Sequence, residues 1–159
     1  MSLITCASYA SVWRGYEYYE EKKVHDLQKT SETEFCGIVD GSDNKNYTVK
    51  IDTLHPRKSS CNCPHADGKR LVCKHMIALY FTAFPDEAKK YYDDCVQAEK
   101  DAEAEYDAIE SAIYDYVHGL SAEDARNELL SLIDDLPDWL YERFINEHYY
   151  EIEEYLNRK

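Results

Sequence analysis

Cys61-Asn62-Cys63, nine intervening residues and Cys73-Lys74-His75 place three thiols and one imidazole in two tight pairs. Thiolate sulfur and neutral imidazole nitrogen are the ligands zinc prefers, and three Cys with one His form a closed tetrahedral set. A closed set leaves no position for water or substrate, so the chemistry implied is structural and not catalytic. Residues two apart on an extended segment point to the same side. Cys61 and Cys63 can therefore face one Zn2+ ion together, and Cys73 and His75 do likewise where the chain turns into a helix. Asn62, Lys74 and the loop fall outside. His65 brings a second imidazole within reach and competes with His75, its alternative being a solvated loop position beside Asp67 and Gly68. His55, before Pro56, is a weaker competitor. Cys6, Cys36 and Cys95 lack partners at ligand spacing and are expected to serve as small buried hydrophobes.

The elements that must position these ligands are read from pattern. Phe35-Cys36-Gly37-Ile38-Val39 is a short apolar run, and Gly41-Ser42-Asp43-Asn44 supplies turn chemistry. Tyr47, Val49 and Ile51 alternate with Thr48, Lys50 and Asp52, the period of a half-buried strand. Together these predict a hairpin, ended by Pro56. Leu71 to Phe84 predicts a helix, with Ile77, Tyr80, Phe81 and Phe84 on a stripe broadened by Met76 and Leu79. So apolar a helix needs cover from the hairpin on one side and from something else on the other. Trp13 to Val24 has no clean period and fits either a helix or a strand edge.

C-x-C followed by C-x-H resembles the signature of the SWIM zinc finger, with all four ligand positions matched over about Phe35 to Phe84. In that family a two-stranded element ends at the C-x-C and the C-x-H opens a helix. Here Val72-Cys73-Lys74-His75-Met76-Ile77-Ala78-Leu79 is similar to that helix start. Upstream, Arg14-Gly15-Tyr16-Glu17-Tyr18-Tyr19 and Val24 resemble the segment preceding the finger in bacterial members, with Lys22 or Lys23 in place of a glycine. The resemblance implies a zinc-bound α+β finger that acts in DNA or protein interaction.

The chain has 159 residues and a net charge of −14, unevenly spread. Residues 50–85 carry six basic and two acidic groups, whereas residues 86–159 carry seven basic and twenty-two acidic groups. Three segments are expected: an aromatic lead-in over 1–34, the finger over 35–85 and an acidic helical region over 86–159. The last is read as helical because Tyr106, Ile109, Ile113, Tyr116 and Leu120 step by three and four. Gly119 closes that helix, Ser121 caps the next, and Pro137 starts a last helix running through Leu140, Phe144, Tyr149 and Leu156.

No basic start followed by an apolar run marks a secretory signal, and the paired ligand spacing points to metal in a reducing cytoplasm and not to disulfides. No apolar run reaches the length of a membrane helix. Phosphate-cradling, nucleophile-elbow and H-E-x-x-H patterns are missing, so neither enzymatic activity nor a small-molecule substrate is expected. The expected role is a zinc module that binds a protein partner. Nucleic acid is the alternative, touched by Arg57, Lys58, Lys69, Arg70 and Lys74 around the ligands, but the acidic balance of the chain disfavours phosphate contact.

Overall fold

The computed structural model describes residues 2–42 and 45–158, and of the turn expected over Gly41-Ser42-Asp43-Asn44 the last two residues lie outside them. Two compact units are present, Met1–Glu99 and Lys100–Lys159. The first is α+β. A short helix α1 (Leu3–Cys6) and a longer α2 (Tyr9–Glu20) precede strands β1 (Val24–Lys29), β2 (Glu34–Asp40) and β3 (Asn46–Asp52). A 3₁₀ turn (Pro56–Lys58), the two-residue strand β4 (Ser60–Cys61) and helix α3 (Lys74–Ala83) follow.

The expected hairpin is β2–β3, in register Phe35↔Ile51, Gly37↔Val49 and Val39↔Tyr47. It is the centre of a four-stranded antiparallel sheet ordered β1-β2-β3-β4. Strand β1 gave no sequence signal because all but its first residue is exposed, and a shift between His25 and Gln28 interrupts its pairing. On β2 the buried positions are Phe35, Gly37 and Val39, and on β3 they include Val49 and Ile51, so one face of the pleat is apolar.

That face receives α3, whose residues His75 to Phe81 are all buried. A helix apolar all round has to be enclosed, and the second cover is α2. The undecided Trp13–Val24 segment is thus mainly helix, burying Val12, Gly15 and Tyr18 toward α3. Gly15 makes the close crossing possible: a Cβ there would lie 2.5 Å from Ile77 Cβ and 2.9 Å from the Lys74 carbonyl oxygen. Leu71 and Val72 are not part of α3, contrary to the sequence reading. Val72 is extended and bridges Ala7 in parallel, which frees Cys73 to turn the chain into the helix.

Helix α2 ends with the Lys23 amide donating to the Tyr18 carbonyl and the Lys22 amide to that of Tyr19 (both 3.0 Å). This is a glycine-type helix stop, and Lys22 takes it with φ 55°. The glycine missing from the upstream resemblance therefore belongs at Lys22.

Helix α4 (Pro85–Gly119) opens with acidic residues in its first turn, and the boundary between the units falls within it. Its first turns bury Ala88 and stack Tyr91 on Phe81 at 5.5 Å. The second unit adds α5 (Ala122–Asp134), α6 (Asp138–Glu147) and α7 (Tyr149–Asn157). Ser121 caps α5 by accepting from the Asp124 amide, as its spacing predicts. The single last helix expected from Pro137 is instead two, divided at His148. Cys6, Cys36 and Cys95 are half-buried, not the fully buried hydrophobes expected.

Candidate metal centre

Cys61 ends β4, whose two-residue ladder pairs it with Val49 of β3. Asn62 then extends the pairing with its side chain, Oδ1 accepting from the Thr48 amide at 2.9 Å. The Cys63 carbonyl accepts from the amides of Ala66 (3.0 Å) and Asp67 (2.9 Å), folding the chain back. Cys73 is extended (φ −99°, ψ 169°) as the cap residue of α3, and His75 stands on its first turn. The approach to β4 is fixed by Asp52, whose Oδ1 accepts from the amides of Leu54 and His55 at 2.9 Å each. Its own amide donates to Ser59 Oγ at 3.0 Å.

The four ligand atoms, three Sγ and one imidazole nitrogen, lie within 4.8 Å of one another, and all four residues are buried. The imidazole presents Nδ1, 3.7 Å from Cys61 Sγ and 3.9 Å from Cys73 Sγ. Zinc–sulfur bonds near ~2.3 Å and zinc–nitrogen bonds near ~2.0–2.1 Å give a tetrahedral S···N edge of about 3.6 Å. The observed separations are close to that edge, so the set fits a tetrahedral cation. Nδ1, facing both sulfurs, is the nitrogen turned to the cluster, and His75 Nε2 is buried without a hydrogen-bond partner.

Electrostatics point the same way. Three sulfurs this close and this buried cannot all carry charge unaided. The Cys61 thiol is held well above its ordinary pKa by its hydrogen bond with Cys73, and burial adds to this. Cys73 is held below the ordinary range by the hydrogen bond from Cys61; burial opposes this and His75 assists it. A divalent cation removes the conflict by displacing protons from the ligands it binds.

The imidazole is clamped by rings that the ligand pattern did not predict. Tyr47 lies 4.7 Å away between centroids, and Tyr18 meets it edge-on at 5.6 Å. Tyr18 in turn hydrogen-bonds Lys74 Nζ at 2.5 Å, and that ammonium stands 4.1 Å from the Tyr18 ring centroid. Burial raises the Tyr18 hydroxyl, but hydrogen bonds from Lys74 and Ser42, with the charges of Lys74 and Lys23, bring it below the ordinary tyrosine value. Tyr18 and Tyr47 pack on the His75 ring and Asn62 ties its loop to β3, and the ligand spacing gave no sign of these roles.

His65 is exposed and outside the four-atom cluster, although it lines a cavity of about 380 Å³ bordered by Cys63, Cys73 and His75. His55 turns instead to Asp52, with Nδ1 3.3 Å from Oδ2. The five basic residues do not converge on one cavity. Arg57 and Arg70 line one, Lys69 and Arg70 another, and Lys74 is committed to Tyr18.

A sheet corner and a helix start that close over a buried Cys3His set define a structural zinc-finger class of domain. Residues 39–84 match the family model of the SWIM zinc finger, and the chain carries a SWIM-type zinc finger. Neither the comparison with curated proteins nor that with solved structures gives a match. No described helix is long and apolar enough to cross a membrane.

Proposed function

We propose that the protein is a non-catalytic zinc-binding module that recognises another protein, with Cys61, Cys63, Cys73 and His75 holding one Zn2+ ion that shapes the finger. The protein-binding part of this reading rests on one observation: the 100–159 unit keeps many of its large apolar side chains exposed. Ile113, Tyr116, Leu129, Leu132, Trp139 and Leu156 are each more than half accessible. Exposed apolar surface of that extent marks an interaction surface. The ion's contribution is folding energy for a site that does not exist in the unfolded chain.

Crosslinking of the tagged full chain in its native host, with nuclease treatment before capture, tests the reading. A nuclease-resistant protein partner, lost when Leu129 and Leu132 are changed to Asp, is the expected result. Partners that vanish with nuclease favour nucleic acid. One observation supports that second reading: Arg57 and Arg70 share a cavity whose lining contains no carboxylate. Duplex DNA is nevertheless expected to bind more weakly than ~10 µM at physiological salt, beneath the tighter end of non-specific affinity. Sub-micromolar binding abolished by Arg57→Glu with Arg70→Glu would reverse the preference.

A further inference from the structure

The distal half of α4 carries an apolar row with a coiled-coil period. Tyr106, Ile109, Ile113 and Tyr116 alternate steps of three and four, which makes them successive a and d positions of a heptad. A strict seam of this kind suits pairing with one other helix better than packing on a broad core. The row is exposed: Ile109 is 53% and Ile113 is 58% accessible, and both tyrosines are more so or equal to Ile113. Four large apolar side chains in one line along a helix form an unpartnered face, not scattered surface residues.

Charge decides what can cover it. In the same register the flanking e and g positions include Glu103, Glu105 and Glu110, and residues 101–119 contain six acidic residues and no Lys or Arg. Flanking e and g charges select a coiled-coil partner. A second copy of this helix would set carboxylates against carboxylates, which disfavours self-pairing. Anionic lipid and nucleic acid are repelled for the same reason. The complementary occupant is a helix with its own apolar seam, flanked by Lys or Arg.

We propose that the Tyr106–Tyr116 seam of α4 is a docking site for a basic amphipathic helix of a partner protein. This rests on the protein-binding reading above and specifies the partner's chemistry. Helix-in-groove recognition by apolar anchors at i, i+3 and i+7 supplies the affinity, and the carboxylates supply selectivity and speed of encounter.

The test uses the zinc-loaded full chain and three labelled amphipathic helical peptides with identical Leu/Ile seams and Lys, Gln or Glu at every e and g position. Fluorescence anisotropy should show the Lys peptide binding tighter than the Glu peptide by about tenfold or more, with affinity falling as salt rises. Ile109→Asp with Ile113→Asp should weaken the Lys peptide by a similar factor, circular dichroism confirming that the helices persist. Glu103→Lys, Glu105→Lys and Glu110→Lys together should reverse the order of preference. Lys-peptide binding indifferent to the Ile109/Ile113 change would overturn the proposal, because bare charge attraction would then suffice. Equal, seam-dependent binding of the Glu peptide would overturn the charge assignment while leaving a protein-binding surface. Self-association relieved by Ile113→Asp would identify a second copy as occupant. Silence from all three peptides while crosslinking still recovers a protein partner would sink this inference alone; silence in both would sink the protein-binding reading with it.

Discussion

The finger unit and the acidic unit are built from the same kinds of helix-forming residues and treat them in opposite ways. In Met1–Glu99 the apolar side chains of α3 are enclosed between sheet and α2, and the ligand set lies at one end of that layer. In Lys100–Lys159 no described residue is buried, although α4 to α7 carry rows of Ile, Leu, Tyr and Trp. Burial of apolar area is the main source of stability, so the first unit is held by its own core, with the Cys3His set as a further tie, whereas the second leaves much of its apolar surface outward. The contrast teaches that a helical stripe in sequence reports where a helix can bury something, not that anything in the same chain covers it.

The largest effect should come from the metal. Chelation, or Cys61→Ser, removes binding energy that amounts to about 10–16 kcal/mol in small zinc modules. Hydrogen exchange should then lose protection across β2, β3 and α3 while residues 100–159 exchange as before. Equal loss in both units would break the comparison. Next, Ile77→Ala should destabilise the finger by about 2–5 kcal/mol, as expected for a filled core position. Leu129→Ala, at an exposed position, should change stability by about 0.5 kcal/mol or less. Comparable losses in thermal unfolding would mean that the acidic unit has a core after all.

Acid should act selectively on the finger through Asp52. The amide of His55, then that of Leu54, hold this carboxyl below its ordinary pKa against the opposing effect of burial. Its contribution is therefore full above the ordinary value of about 3.9 and is lost as pH falls through the lowered folded value. Asp52→Asn should flatten the acid limb of finger stability relative to the unmodified chain, and identical limbs would remove Asp52 from the account. A small effect is expected at Lys22. Left-handed backbone costs a non-glycine residue about 1–2 kcal/mol, offset by the entropy of a glycine. Lys22→Gly should leave the finger unchanged or more stable by up to about 1 kcal/mol in denaturant unfolding, and a clear loss would show that its side chain matters more than its backbone.

The four clustered residues were legible in the sequence because ligand spacing is a local constraint: two pairs, each two residues apart, need little else to converge. The β2–β3 hairpin and the Ser121 cap were equally local. What was hidden depended on distant contacts. Strand β1 has almost no buried side chain to create a period, and α2 is recognised as a helix only when Gly15 is seen against Ile77. Tyr18 and Tyr47 read as ordinary aromatics until the fold sets them beside the His75 ring. The break at His148 escaped because the apolar pattern continues across it. In the acidic unit the period was read correctly as helical, but it could not say that the stripes stay uncovered.

Cys61, Cys63, Cys73 and His75, and not His65, are the residues proposed to hold one structural zinc ion. Native mass spectrometry with elemental analysis of the unmodified chain, His65→Ala and His75→Ala tests this assignment directly. One zinc per chain in the first two, and loss of zinc or much weaker retention in His75→Ala, is the predicted result. A chain without metal, or zinc that survives His75→Ala and departs with His65→Ala, would contradict it.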